Sequence, residues 1–248
     1  MMLQGRYFQT MKAVFAKIEA TQTESICQCA EEIVASLLNG GVWHVLDTGH
    51  MLMYEAIGRA GGLMAVRPVR VTVNVDNPAR HRQQAAGKKK VYMDEIEGLP
   101  GYIIDKSEMV AGDVLLIGSV SGINVLPVGL AMEVRYRGIT TIGLTSVQYS
   151  QFLQPKHHSG KRLYEVCDYV LDNCCPVGDT LVDVAELGQG MCPASGVAAA
   201  YIMWALQAQV VEVLLSRGKT PHIYMSNHLP GADCHNIEAW AGYEDLGY

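Results

Sequence analysis

The sequence predicts an α/β fold: a three-layer αβα sandwich around a five-stranded parallel sheet, preceded by an N-terminal helical extension. Three observations predict it. Short apolar runs ending in Gly, Ser, Thr or Asp alternate with segments whose apolar residues recur every three or four positions. The connections are long enough for the helical crossovers that parallel strands require. Residues 1–40 show the helical period alone.

Met11, Val14, Phe15 and Ile18, then Ile26, Ala30, Ile33, Val34 and Leu37, predict two N-terminal helices, the second stopped by Asn39-Gly40-Gly41. Residues 42–46 read as a buried strand that turns at Asp47-Thr48-Gly49-His50. "MLMYEAIGRAGG" reads as a helix and "LMAVRPVRV" as a second strand. The polar stretch 74–100 reads as an irregular insertion with room for one short helix, and Lys88-Lys89-Lys90 as a solvated run. "DVLLIGS" is a third strand, 123–137 a helix and "ITTIGLTS" a fourth strand. Ser159 precedes a short helix over "GKRLYEVC", "DYVLDN" is a fifth strand, and "GDTLVDV" a further extended piece. Residues 193–217, with Pro193 near the start and Gly218 after the end, form a long helix. The segment "NHLPGADCHN" reads as a turn-rich tail. The division is a helical extension over 1–40 and one domain over 41–248.

Composition excludes several function classes. Of 248 residues, 49% are hydrophobic, enough for a sizeable core, and the formal net charge of −6 opposes a nucleic-acid surface. Gln207 and Gln209 interrupt the most apolar stretches, and the N-terminus lacks the apolar core of a signal peptide, so a cytoplasmic protein with no membrane partner is expected. The seven cysteines show no C-x-x-C spacing. His222, His228, Cys234 and His235 match no zinc spacing, so no metal and no cofactor are expected.

In an open parallel sheet, ligands sit outside the carboxyl ends of the strands. The residues there are Thr48, Gly49 and His50, then Ser119, Ser121 and Gly122, then Thr145 and Ser146. Hydroxyls and a flexible glycine ahead of a helix suit a compact anion held by neutral donors and by the helix dipole. The same residues also make tight turns and caps. No P-loop or dinucleotide fingerprint is present.

"TGH", "GSVSGIN" and "GITTIGLTS" resemble the sugar isomerase (SIS) phosphosugar-binding family. "HHSGKRLYEVCDYVLDNCCPVGDTLV", "PASGVAAAYIMWAL" and "MSNHLPGADCHN" resemble a bacterial phosphosugar isomerase-like branch of it. The resemblance implies a flavodoxin-like strand order. It implies a phosphate cradle of Ser119, Ser121, Gly122 and Asn124, with Thr48, Gly49 and His50 lining the other side of the pocket and Ser146 among the binding residues. Ser195, which opens the long helix, is expected to contact the sugar or a neighbouring subunit. The chain departs from its branch at Met51, where a serine is expected.

Aldose–ketose isomerisation needs a base and an acid–base group, usually Glu and His. Glu55 lies seven residues after Thr48, roughly two helical turns on, and is the candidate base; His50 is the candidate acid–base histidine. The functional alternatives are a phosphosugar isomerase, a non-catalytic sugar-phosphate sensor, and a lyase or etherase on the same class of substrate. A homodimer or higher homo-oligomer through the N-terminal helices is expected.

Overall fold

The computed structural model describes residues 2–49, 52–73, 92–93 and 96–248. His50, Met51 and Lys88–Lys90 lie outside the described residues, as does most of the polar insertion.

One helix occupies the N-terminus where two are expected: α1 runs over Leu3–Leu38, 36 residues. The polar run at 21–25 does not break it. Thr21 and Thr23 donate their hydroxyls to Lys17 O and Glu19 O, within the helix. Gln22 takes a place in the buried stripe between Ile18 and Ile26, and its Oε1 accepts the N–H of Asp172 at 2.9 Å. A buried amide thus continues an apolar period across a polar stretch. Asn39 and Gly40, the latter at φ 83°, then end the helix.

The sheet follows: β1 (Trp43–Asp47), β2 (Val66–Pro68), β3 (Val114–Gly118), β4 (Thr140–Thr145) and β5 (Tyr169–Asp172), all parallel in the order β2-β1-β3-β4-β5. This is the flavodoxin-like order. Alternate side chains feed two cores. Trp43, Val45, Val114, Leu116, Ile142, Leu144 and Leu171 pack against α1 and α7 (Ser195–Ser216). Leu46, Leu115 and Ile117 pack against α3 (Leu99–Lys106), α4 (Val125–Tyr136) and α6 (Leu163–Val166).

Several elements differ from expectation. The helix after β1 is only α2 (Leu52–Glu55). α3 lies where no helix is predicted. α5 (Val147–Phe152) fills the turn after β4. "GDTLVDV" becomes one arm of an antiparallel hairpin, β6 (Val182–Val184) with β7 (Gln189–Met191). The turn-rich tail contains α8 (Ala232–Leu246), missed because it buries only Ala232 and Ala239. Its large residues lie at the margin, where Trp240 and Tyr243 receive the Arg67 guanidinium 5.3 and 5.5 Å from their ring centroids. The bounding Gly231 and Gly247, both at positive φ, were its sequence signal.

Gln207 does not interrupt α7, which by length and composition is apolar enough to cross a membrane. Its amide is buried, accepting from Leu63 N at 2.9 Å and donating to Ala56 O at 3.1 Å. The helix face it shares is packed in the core beside α1.

Candidate functional site

The direction of strand order reverses between β1 and β3, so these two strand ends frame the crevice. The loops after them are joined. Thr48 donates both its N–H and its hydroxyl to Gly118 O, at 3.0 and 3.1 Å. The Asp47 carboxylate accepts from Gly49 N at 2.9 Å and Leu52 N at 3.2 Å, which starts α2. It also lies where a Cβ on Gly118 would fall, 2.6 Å from its Oδ1, so only glycine ends β3 without a shift.

The loop after β3 is held from behind and open in front. Val120 O accepts from Ser146 N and from the Thr145 hydroxyl; Gly122 O accepts from Leu163 N, and Ile123 O from Lys156 N. Gly122 sits at φ +60°, and a Cβ there would meet Thr145 Oγ1 at 2.7 Å. Conformation and space both demand glycine. The N–H groups of Val120, Ser121, Gly122 and Ile123 donate to no acceptor among the described residues, and neither do the hydroxyls of Ser119 and Ser121. Gly122 and Ile123 are buried. Buried N–H groups are nearly always paired, and unpaired ones beside the start of a helix have the chemistry to receive an anion. Asn124 occupies the N-cap position of α4, and Pro127 in its first turn has no N–H to satisfy.

A cleft of about 610 Å³ lies at the β1 end, lined by Thr48 and Gly49 and reached from α4 by Leu126; residues 119–124 do not line it. Its walls are mixed. Leu46, Met53, Val69, Val71 and Met93 are apolar; Tyr54 and Tyr92 add exposed rings; Asp47 and Arg70 bring one charge of each sign. Arg70 forms no ion pair among the described residues. The size suits a small organic ligand. The sequence reading missed Tyr54, Arg70 and Tyr92. Arg70 stands on the extension of an edge strand, and nothing in its local pattern marks a cleft.

The other expected site residues separate into two groups. Thr48, Gly49, Ser119, Ser121, Gly122 and Asn124 come together at the β1 and β3 ends. Ser146 and Ser195 do not join them with free hydroxyls. Ser146 is fully buried, donates to Cys175 O at 2.7 Å and accepts from Tyr149 N at 3.2 Å as the cap of α5. Ser195 donates its hydroxyl to Asp179 Oδ2 at 2.6 Å, while Ala194 N and Ser195 N donate to Asp179 Oδ1. Glu55 ends α2, half-exposed, 3.5 Å from Arg59 Nη1. The helical phase from Thr48 does not place it, since the helix begins only at Leu52. Met53 and Tyr54, not Glu55, line the cleft from α2. Burial pushes the Cys29 thiol and the half-buried Cys167 thiol up to about 12, which disfavours the thiolate form.

A model of the SIS domain matches residues 6–146, which span α1, the first four strands and the open loop. The chain belongs to the SIS-domain family. Two relatives carry the resemblance along nearly its whole length. A UPF0309 protein of Caldanaerobacter subterraneus subsp. tengcongensis is 32% identical over 243 residues, covering 96% of each chain. A second, from Halalkalibacterium halodurans, is 30% identical over 239 residues, again 96% of each. Among solved structures, the SIS chain is similar to a phosphoheptose isomerase from Neisseria gonorrhoeae. The TM-score is 0.54 over 85% of this chain and 100% of that one, at 16% identity. A phosphoheptose isomerase from Francisella tularensis gives a TM-score of 0.51 over 83% and 95%, at 14% identity. At such identities the likeness is one of fold.

Proposed function

We propose that this SIS protein binds a sugar phosphate and interconverts its aldose and ketose forms, as a cytoplasmic homo-oligomer joined through α1. One observation supports the binding half: the hydroxyls of Ser119 and Ser121 and the N–H groups of Val120 to Ile123 have no acceptor among the described residues, and Leu126, a few residues on in α4, reaches a cleft large enough for the sugar. The phosphate sits on that run, with Asn124 and the start of α4 behind it. Thr48 and Gly49 bound the sugar from the β1 side. Family membership supports the reading, as does the fold shared with phosphoheptose isomerases. The exposed Leu3 and Phe8 on α1 support the oligomer, and light scattering tests it: a single species of one chain's mass would remove that part of the proposal.

For the chemistry, Glu55 is the base. Its carboxylate takes the proton from C2 of the open-chain aldose, leaving an enediolate; the O2 proton passes to O1, and the carboxylic acid returns its proton to C1. His50 assists ring opening. The exposed pairing with Arg59 is worth only a few tenths of a kcal/mol, so Glu55 is free to turn toward the cleft. Because Glu55 is not among the cleft-lining residues, a sensor that binds without turnover is the second reading.

Exchange of substrate hydrogen with deuterated water, followed by NMR across hexose, heptose and amino-sugar phosphates, separates the two. The enzyme incorporates deuterium, and Glu55→Gln binds the same sugar phosphate while turnover falls roughly 100- to 10,000-fold. Tight binding with no exchange by the unaltered protein establishes the sensor. Equal exchange by the Gln variant moves the base elsewhere. Accumulation of an eliminated product instead of the ketose identifies a lyase or etherase.

A further inference from the structure

Behind the open loop, α5 carries a hydroxyl that no described residue uses. Ser150 is fully buried, and its Oγ has no hydrogen-bond partner among the described residues. Buried hydroxyls without partners are costly, about 1–3 kcal/mol, and α5 would accept alanine at that position at no helical cost. The place of this hydroxyl is specific. It lies 3.2 Å from where a Cβ on Gly122 would stand, beside Thr145 Oγ1. α5 is itself tied down there: Arg162 Nε donates to Ser150 O at 2.8 Å, and Arg162 Nη2 to Leu153 O at 3.0 Å.

The carbonyls of the loop show what the hydroxyl is for. Those of Val120, Gly122 and Ile123 each accept a hydrogen bond from behind. The carbonyl of Ser121 accepts none among the described residues. It belongs to the same peptide group as the Gly122 N–H, the buried donor at the centre of the proposed anion site. The N–H and C=O of a trans peptide point opposite ways, so a peptide that turns its N–H toward an anion in front turns its carbonyl toward the rear, the side on which Ser150 packs against Gly122.

We infer that Ser150 is a positioning residue for the phosphate loop: its hydroxyl donates to the Ser121 carbonyl when the Ser121–Gly122 peptide turns its N–H onto a bound phosphate. The inference rests on the phosphate reading of the loop and adds to it a residue that never touches the ligand. It explains why an unpaired hydroxyl persists in the core, since its partner arrives with the anion.

The test titrates inorganic phosphate into the unaltered protein and into Ser150→Ala, following the Gly122 and Ile123 amide resonances, with thermal midpoints taken without phosphate. In the unaltered protein the two amides shift with phosphate; if they do not, the phosphate reading of the loop fails. If they do, Ser150→Ala is expected to bind phosphate about three- to tenfold more weakly, the worth of one hydrogen bond, with an unliganded midpoint equal to or above that of the parent. Equal phosphate affinity in the two proteins overturns the role of Ser150 and leaves the anion site standing. A midpoint several degrees lower without phosphate also overturns it, because the hydroxyl would then support the resting fold. Ser150→Cys, of similar shape but with a weaker donor, is expected to fall between the two in affinity.

Discussion

The strand ends on the two sides of the sheet carry the same kinds of residue and use them in opposite ways. At the β4 and β5 ends, Ser146, Asp172, Asp179 and Ser195 are engaged: each hydroxyl or carboxylate satisfies a backbone group or another side chain. At the β3 end, the hydroxyls of Ser119 and Ser121 and the N–H groups of Val120 to Ile123 are held in place with no acceptor among the described residues. A hydroxyl left without a partner at a strand end is therefore a candidate for binding, while an engaged one serves the scaffold first. The engaged side is scaffold for the open side, since Ser146 N and Thr145 Oγ1 hold Val120 O from behind.

Substitutions should divide along the same line. Gly122→Ala is expected to have the largest effect. It forces a side chain into a left-handed backbone and against Thr145, at a cost of roughly 1–3 kcal/mol in stability, and it abolishes phosphate binding. Denaturant unfolding and calorimetric titration measure the two losses; a variant that keeps both would break the contrast at its centre. Ser121→Ala on the open side should lower sugar-phosphate affinity by about 1–3 kcal/mol, the worth of a hydrogen bond to a charged group, with unfolding unchanged. Ser146→Ala on the engaged side should do the reverse. Loss of a cap costs about 0.5–2 kcal/mol of stability, and sugar-phosphate affinity should stay at the parental value. If Ser146→Ala bound more weakly at full stability, the hydroxyl would belong to the site after all.

The smallest expected effect is one of pH. Burial holds both His44 and His157 below the ordinary histidine range; the neighbouring His158 adds to the effect at His157, while the Asp113 partner of His44 only partly opposes it. Unfolded, both take up a proton near pH 6.5. The unfolded chain then binds more protons than the folded one, so stability falls as pH drops through that value. Thermal midpoints at pH 7.5 and 5.5 should show a modest decrease, reduced in His157→Gln. A rise on acidification would reverse the sign and with it the role of burial.

The sheet was legible because each strand is a short apolar run closed by small polar residues, and the order of its strands came with the family resemblance. The Ser-x-Ser-Gly loop was legible for the same reasons. What could not be read was which hydroxyl is engaged, because the partner of Ser146 is Cys175 and that of Ser195 is Asp179, contacts that only the finished fold creates. α1 was divided in two because Gln22 looks like a break and acts as a core residue. α8 was missed because Trp240 and Tyr243 stack on Arg67 at the rim instead of forming an apolar stripe. Glu55 was located by counting along a helix that starts four residues later than the count assumed.

The open loop offers only neutral donors, with no Lys or Arg of its own, on a chain whose formal net charge is −6. If it takes the proposed phosphate, the dianion approaches a surface that on average repels it and is captured only at contact range. Screening by salt weakens long-range repulsion between exposed charges and leaves short hydrogen bonds in a recess largely intact. Encounter should accordingly quicken with ionic strength, the opposite of the behaviour of electrostatically steered sites, and discrimination would rest on the shape of the anion and not on its attraction.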